Sequence, residues 1–173
     1  MRAYYRDTST ANLNLPHDSG RTVSEDKLVA LGLKFWTLEG TDSQCKDKLR
    51  QVGEGLGFVS GTMQEYLWEL PNPGAPGAPD TTAQENLDQF SKEFVTHVDT
   101  IALVLKGTWY YDFKESGTGT YIRIVLGPKE ACFSPRGVVA QLFTHADTSH
   151  HTTVFNLYKT SQSFEKQALY KHV

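Results

Sequence analysis

The sequence predicts a mainly β fold, an antiparallel β-barrel of the jelly-roll type with a few short helices, most of them near the N-terminus. Residues 90–142 contain runs of β-branched and aromatic residues that glycines separate, a pattern typical of short antiparallel strands. The chain has 173 residues, of which 39% are hydrophobic, and this is enough for one domain with its own core. We therefore expect a single domain over residues 1–173.

The N-terminal third predicts short elements in front of the barrel. Ala3–Tyr5 is a strand candidate. Ser24 predicts the N-cap of a helix that carries Leu28 on its apolar face, and Gly32 predicts the end of that helix. Leu33–Leu38 then predicts a second strand.

The middle and the end of the chain predict further helices and one last strand. Asp47–Val52 and Thr62–Leu70 carry patterns that we interpret as two short helices. Pro71–Asp80 is rich in proline and glycine and predicts an exposed loop, after which Thr82 begins another helix. Thr152–Tyr158 predicts the final strand.

Charge and cysteine content exclude several classes of function. A net charge of −3 gives no reason to expect a nucleic-acid partner. The N-terminus has no apolar signal region, and no run of eighteen apolar residues occurs, so neither secretion nor membrane insertion is expected. Cys45 and Cys132 are too few for a disulfide framework. We expect a cytoplasmic monomer or homodimer.

Several motifs resemble one family of enzymes. LPHDSGR (residues 15–21) and VSEDKLVALGL (residues 23–33) are similar to its N-terminal region. VLKGTWYYDF (residues 104–113), TYIRIVL and SPRG are similar to its central strands and second motif. The family is that of the acireductone dioxygenases, the metal-dependent cupin dioxygenases of methionine salvage. The resemblance implies a cupin-type barrel over most of the chain, with a poor match over residues 40–85.

The first metal-binding motif of that family has lost its ligands in this chain. The motif reads H-x-H-x-x-x-E and is followed, after six more residues, by glycine. Gly107 matches that glycine. Counting back from it places Phe94 and Thr96 at the two histidines and Thr100 at the glutamate. Imidazole and carboxylate ligands are therefore absent from this motif.

The second motif has changed in the same way. It ends in P-x-G-x-x-H, and Pro135 and Gly137 match its proline and glycine. Ala140 then stands at the histidine, and Ala102 stands where the family has an arginine. All four expected ligands are missing, so we expect no metal and no other cofactor.

Strand alternation predicts which side chains face the barrel interior. If residues 94–104 form one strand, every second residue from Phe94 to Val104 lies on its inner face. His97 and Asp99 fall on the other face. Asp99 coincides with an acidic residue that the family places just before its glutamate ligand. Alternation does not decide which of Tyr110 and Tyr111 points inward.

Replacement of the ligands predicts an apolar cavity with a few polar groups. Such a site suits a metal-independent isomerase, cyclase or lyase acting on a hydrophobic metabolite of a biosynthetic pathway. The candidate catalytic residues are Asp99, Thr96, Thr100, Tyr110 and Tyr111. The candidate substrate-binding residues are Phe94, Ala102, Val104, Arg123, Ala140, Leu142 and Asn156. Of these, Arg123 is expected in a surface ion pair.

The sequence is compatible with two alternative functions. In one, the chain is a metal-dependent dioxygenase whose ligands have moved to His97, His145, His150 and His151, because a group of imidazoles is a usual metal-binding set. In the other, the chain is a non-catalytic relative that holds a small molecule. Bound metal distinguishes the first alternative, and saturable binding without product distinguishes the second.

Overall fold

The computed structural model describes residues 1–9, 12–71, 91–146, 151–160 and 170–172. Within these ranges the chain forms short helices and many antiparallel strands. In chain order these elements are β1 (Arg2–Arg6), β2 (Asp18–Thr22), α1 (Glu25–Ala30), β3 (Lys34–Thr37), α2 (Asp42–Gly55), β4 (Met63–Pro71), β5 (Phe94–Thr96), β6 (Thr100–Lys106), β7 (Trp109–Lys114), β8 (Tyr121–Leu126), β9 (Glu130–Ser134), β10 (Val139–Thr144), β11 (His151–Lys159) and β12 (Tyr170–His172).

The strands form two sheets that pack face to face. One sheet has the order β12-β5-β10-β7-β8-β1-β2, and the other has the order β3-β9-β6-β11-β4. The main apolar cluster joins residues of both sheets, for example Val104 and Val154 of the five-stranded sheet with Ile124 and Leu142 of the seven-stranded sheet. The predicted mainly β, antiparallel fold is confirmed. The two sheets do not close into a barrel, so the molecule is better described as an open sandwich.

Helix α2 covers the outer face of the five-stranded sheet. Thr41 and Gln44 form a capping box at its start, which satisfies backbone N–H groups that the first turn leaves unpaired. Cys45, Leu49 and Gly53 recur every four residues and form its buried side. Gly53 approaches the sheet so closely that a Cβ there would lie 3.3 Å from Leu157 Cδ1. The predicted helix over residues 47–52 is thus the middle of a longer one.

The predicted helix over Thr62–Leu70 is wrong, because this segment forms strand β4. Nine consecutive residues of β4 pair with β11. Glu65, Leu67 and Glu69 are exposed while Tyr66 and Trp68 between them are half-buried, which is the two-residue period of a strand. The predicted loop after Pro71 and the predicted helix from Thr82 lie outside the described residues.

The predicted single strand over residues 94–104 is two strands in different sheets. Residues 97–99 carry the chain from β5 in the seven-stranded sheet to β6 in the five-stranded sheet. Phe94, Ala102 and Val104 nevertheless belong to the same buried cluster between the sheets. The break therefore leaves the inner-facing residues on the inside.

The helices show two further features. Ser24 caps α1 as predicted, since its side chain accepts a hydrogen bond from the Lys27 N–H at 3.3 Å. Neither helix in the described ranges combines the length and the apolar character needed to span a membrane.

Candidate functional site

The four positions that motif spacing predicts for the family's metal ligands lie together at one end of the space between the sheets. Ala140 and Phe94 are register partners in the β5–β10 pair. The Thr96 hydroxyl donates to the Pro135 carbonyl at 3.1 Å. Thr100 is the register partner of Ser134, the residue before Pro135. The positions inferred from motif spacing are therefore neighbours in space.

These four side chains do not fit a metal ion. Phe94 and Ala140 offer only carbon, and both are fully buried in the apolar cluster. The hydroxyls of Thr96 and Thr100 already donate to the backbone carbonyls of Pro135 and Val98. Transition metals in proteins are held by imidazole, thiolate and carboxylate groups. In the ranges that the structure describes, no group of three or more such side chains is arranged to hold a metal ion.

The interior beside these positions contains a few uncharged polar groups. The Tyr111 and Ser134 hydroxyls lie 3.0 Å apart, and both residues are buried. Cys132, Ala102 and Asn156 are successive register partners across the five-stranded sheet. Burial raises the pKa of the Cys132 thiol, so this sulfur is a neutral core group and not a thiolate ligand.

Tyr110 lies on the opposite face of the sheet from Tyr111. The Arg123 guanidinium stacks over the Tyr110 ring at 4.4 Å, and the His145 ring lies 5.2 Å from it. The structure therefore answers the question that alternation left open: Tyr111 points inward and Tyr110 does not. The predicted catalytic role of Tyr110 does not agree with this position.

Arg123 is also away from the interior, and it is not at the surface. Its guanidinium makes a bidentate ion pair with the Asp112 carboxylate at 2.7 and 2.8 Å, and both side chains are 0% exposed. The carbonyls of Leu15 and Pro16 also accept hydrogen bonds from it. The N-terminal segment thus covers this outer face of the sheet. The predicted surface pair and substrate contact of Arg123 are corrected accordingly.

The remaining predicted polar residues are dispersed. The Asp99 carboxylate accepts the Arg136 backbone N–H at 3.0 Å in the loop between β5 and β6, so it is held at the end of the sandwich and not inside. His97 in the same loop is exposed. His150 lies outside the described residues, and His151 begins β11.

The residues predicted to contact substrate from β6, β10 and β11 do share the interior. Ala102, Val104, Ala140 and Leu142 belong to the main apolar cluster. Asn156 is the register partner of Ala102 and is buried. Motif spacing and alternation were sufficient to place these side chains together, because they lie on regular strands.

A surface pocket of about 350 Å³ lies next to the predicted ligand positions, and we refer to it as the mouth pocket. Its lining includes Phe113, the register partner of Ala140, together with Leu31, Glu115 and Val138. A glycine turn between β7 and β8 forms its rim, with Gly117 at a φ of 85°. Motif spacing did not reveal this pocket, and the glycine-rich turn was the available signal.

Ion pairs fix the charged groups at the mouth pocket. Lys114 Nζ contacts the Glu93 carboxylate at 2.7 Å, and Lys27 pairs with Glu115. These hydrogen bonds lower the pKa of each carboxyl group. The charged side chains at the rim are thus already paired with one another.

Comparison with a solved structure defines the class of fold. The chain resembles an acireductone dioxygenase from Bacillus anthracis, solved with a cadmium ion in its active centre, with a TM-score of 0.65. The match covers 93% of this chain and 94% of the other, at 14% sequence identity. The fold is therefore that of a cupin-type acireductone dioxygenase. No family model matches the sequence.

Comparison with curated proteins shows the family. Acireductone dioxygenase 1 of Coprinopsis cinerea is 33% identical over 138 residues, which cover 80% of this chain and 72% of the relative. Acireductone dioxygenase 2 of Vitis vinifera is 26% identical over 141 residues, which cover 80% of this chain and 65% of the relative. This chain belongs to the acireductone dioxygenase family, a family of enzymes that act on small molecules.

The comparisons contradict the predicted main activity. Both of these relatives are named acireductone dioxygenases, and neither is named an isomerase, cyclase or lyase. The prediction of a metal-independent isomerase, cyclase or lyase is therefore wrong. The prediction failed for a physical reason. The loss of metal ligands removes metal-dependent chemistry, but it does not specify which other reaction takes its place. The cytoplasmic location, the single domain and the oligomeric state stay predictions.

Proposed function

We propose that this chain is a small-molecule-binding member of the acireductone dioxygenase family that does not bind a metal at the family's ligand positions. One observation carries the proposal. Phe94 and Ala140, which stand at two of the family's histidines, face each other as fully buried register partners. A carbon-only pair occupies the place where the family's motifs require imidazoles.

The magnitude of the loss supports the proposal. A well-made metal site contributes on the order of 10 kcal/mol of binding free energy, and charged or soft donors supply it. Here two of the four positions have no donor atom, and the other two have threonine hydroxyls that already bond to carbonyls. Such a set retains almost none of that free energy.

The mouth pocket supplies a place for a small molecule. Its volume of about 350 Å³ is within the range of about 300–1,000 Å³ that is common for ligand sites. Phe113 connects the pocket to the interior, because this residue lines the pocket and also belongs to the main apolar cluster. A binding protein needs an opening of this kind, whether or not it catalyses a reaction.

A second candidate is a metal-dependent dioxygenase with relocated ligands, and the names of the relatives favour it. The geometry of two of its histidines does not. His97 follows β5, which pairs with the start of β10, whereas His145 follows the end of β10. Ala140 and His145 are five residues apart along that strand direction, or about 16 Å at roughly 3.3 Å per residue. His97 and His145 are therefore at opposite ends of the sheet.

Elemental analysis separates these two candidates. The purified full chain is loaded with ferrous iron or nickel, passed through a desalting column and measured for bound metal. We expect no stoichiometric metal on the wild-type chain. The combined variant Phe94→His, Thr96→His, Thr100→Glu and Ala140→His is expected to gain one ion per chain, because it restores the family's donors.

A matched control shows whether added donors alone cause metal uptake. Val29→His, Val59→His and Leu67→Glu place the same kinds of donor at exposed positions. This variant is expected to remain without stoichiometric metal. Stoichiometric iron or nickel on the wild-type chain would overturn the proposal in favour of relocated ligands.

A further inference from the structure

The interior has accessible space beside Ala102. Strand β6 is the middle strand of the five-stranded sheet, and the cluster that includes Leu49 of α2 and Ile101 covers its outer face. Ala102 nevertheless keeps 6% of its surface accessible, whereas Val104 on the same inner face keeps 0%. The accessible surface of Ala102 therefore opens between the two sheets. This is the position where the resemblance implies an arginine, and alanine is much the smaller side chain.

A buried amide borders this space. Asn156 is the register partner of Ala102 and is 4% exposed. In the described part of the chain, its side chain makes one hydrogen bond, from Nδ2 to the Val154 carbonyl at 3.3 Å. An asparagine amide has two donor hydrogens and an acceptor oxygen, so it can both donate to and accept from a further group. Buried polar groups in proteins are normally hydrogen-bonded. The unused donor and acceptor of this amide are therefore available to bind a ligand between the two sheets.

Inner-facing side chains connect the mouth pocket with the apolar cluster that contains Ala102. Phe113 lines the pocket, and its ring lies 4.1 Å from the Tyr111 ring. Leu142 is the register partner of Tyr111. These three residues each keep a few per cent of their surface accessible and share the apolar cluster with Ala102. Their rings and methyl groups suit the apolar body of a ligand.

The side chains around Ala102 disfavour a charged ligand. Its neighbours on the inner face of the sheet include Cys132, Thr100, Val104 and Asn156, and all of them are uncharged. The buried guanidinium of Arg123 lies on the outer face of the other sheet. An anion placed beside Ala102 would lose its hydration without gaining a cation, which is costly in an apolar interior.

We propose that the space beside Ala102 binds an uncharged molecule with an apolar ring-sized body and a hydroxyl group, and that Asn156 binds the hydroxyl group. The hydroxyl accepts from the amide N–H and donates to the amide oxygen, while Phe113, Tyr111 and Leu142 contact the body. This inference rests on the proposed function, because a metal ion with its ligands would occupy the same interior.

Three probes of equal body and different head group test the ligand class. The full-length chain is titrated with para-cresol, toluene and 4-methylbenzoate, and binding is followed by backbone amide NMR shifts. Para-cresol is expected to bind about tenfold more tightly than either other probe, the effect of roughly one buried hydrogen bond. Equal affinities, tighter binding of toluene or 4-methylbenzoate, or no binding of any probe would overturn the inference.

Paired variants test the role of Asn156. Asn156→Leu keeps the volume and removes the polar group, so it is expected to abolish the preference for para-cresol while toluene still binds. Thr152→Val is the control, because Thr152 is also buried on β11 and lies about 13 Å away along the strand at roughly 3.3 Å per residue. Ala102→Leu fills the space and is expected to block all three probes. Circular dichroism confirms that each variant is folded.

The outcomes separate this inference from the proposed function. A preference for para-cresol that survives Asn156→Leu would place the hydroxyl elsewhere and overturn the inference. A crystal soaked with para-cresol that shows only water beside Ala102 would do the same. Neither result changes the metal content of the chain, which tests the proposed function by itself.

Discussion

The residue that departs most from its expected environment is Arg123. Its ion pair with Asp112 is fully enclosed, and Arg6 donates a further bond to the same carboxylate at 2.6 Å. Removing a charge from water costs several kcal/mol, and the partner charges and carbonyls offset that cost only while all of them are present. Loss of Asp112 would leave the fully buried Arg123 guanidinium and the partly exposed Arg6 guanidinium without their anion.

Asp112→Ala is therefore expected to lower the free energy of unfolding by about 3–5 kcal/mol. Urea unfolding followed by circular dichroism measures the change. Glu65→Gln is the matched control, because Glu65 pairs with Arg50 in a half-exposed ion pair and such pairs contribute at most about 1 kcal/mol. A similar decrease in the free energy of unfolding in the two variants would show that burial of the Arg123–Asp112 ion pair does not contribute to stability.

The sequence could not reveal this enclosure. Alternation places Arg123 on the outer face of β8, and an arginine on an outer face is usually at the surface. Residues distant in the sequence bury it: the carbonyls of Leu15 and Pro16 lie over the guanidinium. A local sequence pattern cannot predict burial by a segment that lies more than a hundred residues away in the sequence.

Local sequence patterns were also insufficient to predict some whole helices and strands. The first helix and the final strand follow local patterns, and the structure has them close to the predicted places as α1 and β11. Strand β4 was mistaken for a helix because its apolar residues also suit a helical spacing. Its actual state depends on nine pairings with β11, a strand some ninety residues later. Pairing partners override a weak local preference.

Helix α2 offers a direct test at the scale of an element. Its Thr41 side chain accepts the Gln44 N–H, and the Gln44 side chain accepts the Thr41 N–H. Thr41→Ala is expected to lower the free energy of unfolding by about 1 kcal/mol, because one end of the capping box is lost. Thermal unfolding measures this, with the neighbouring exposed Ser43→Ala as control. A control as unstable as Thr41→Ala would contradict the role of the cap.

At the scale of the whole molecule, the sequence was sufficient for the family, whereas the assignment of the metal-ligand positions stays a prediction. Spacing from Gly107 and Pro135 brought Phe94 and Ala140 together, and the register of β5 and β10 pairs them. The reaction could not be obtained in the same way, because a reaction depends on groups that are present and not on ligands that are absent. The mouth pocket was missed because its walls come from three separate turns.

Stability against acid is a property of several carboxylates together. Hydrogen bonds from Arg50, Lys114 and Lys27 lower the pKa values of Glu65, Glu93 and Glu115, respectively. A carboxyl group with a lowered pKa stabilises the folded state above its unfolded pKa, and this contribution is lost as the pH falls through the folded pKa. The reference pKa of these groups is 4.5. The folded state is therefore expected to lose stability progressively as the pH falls below about 4.5.

Glu93→Gln tests this linkage at one carboxylate that both Lys114 and Tyr121 contact. The variant has no group to protonate at that position, so its free energy of unfolding is expected to fall less steeply with acidification than that of the wild type, and to be lower near neutral pH. Urea unfolding between pH 3 and pH 7 measures both slopes, with exposed Glu54→Gln as the control. If the Glu93→Gln slope equals that of the wild type, the Lys114 and Tyr121 contacts do not hold this carboxylate ionised. Acid stability would then depend on carboxylates elsewhere in the molecule.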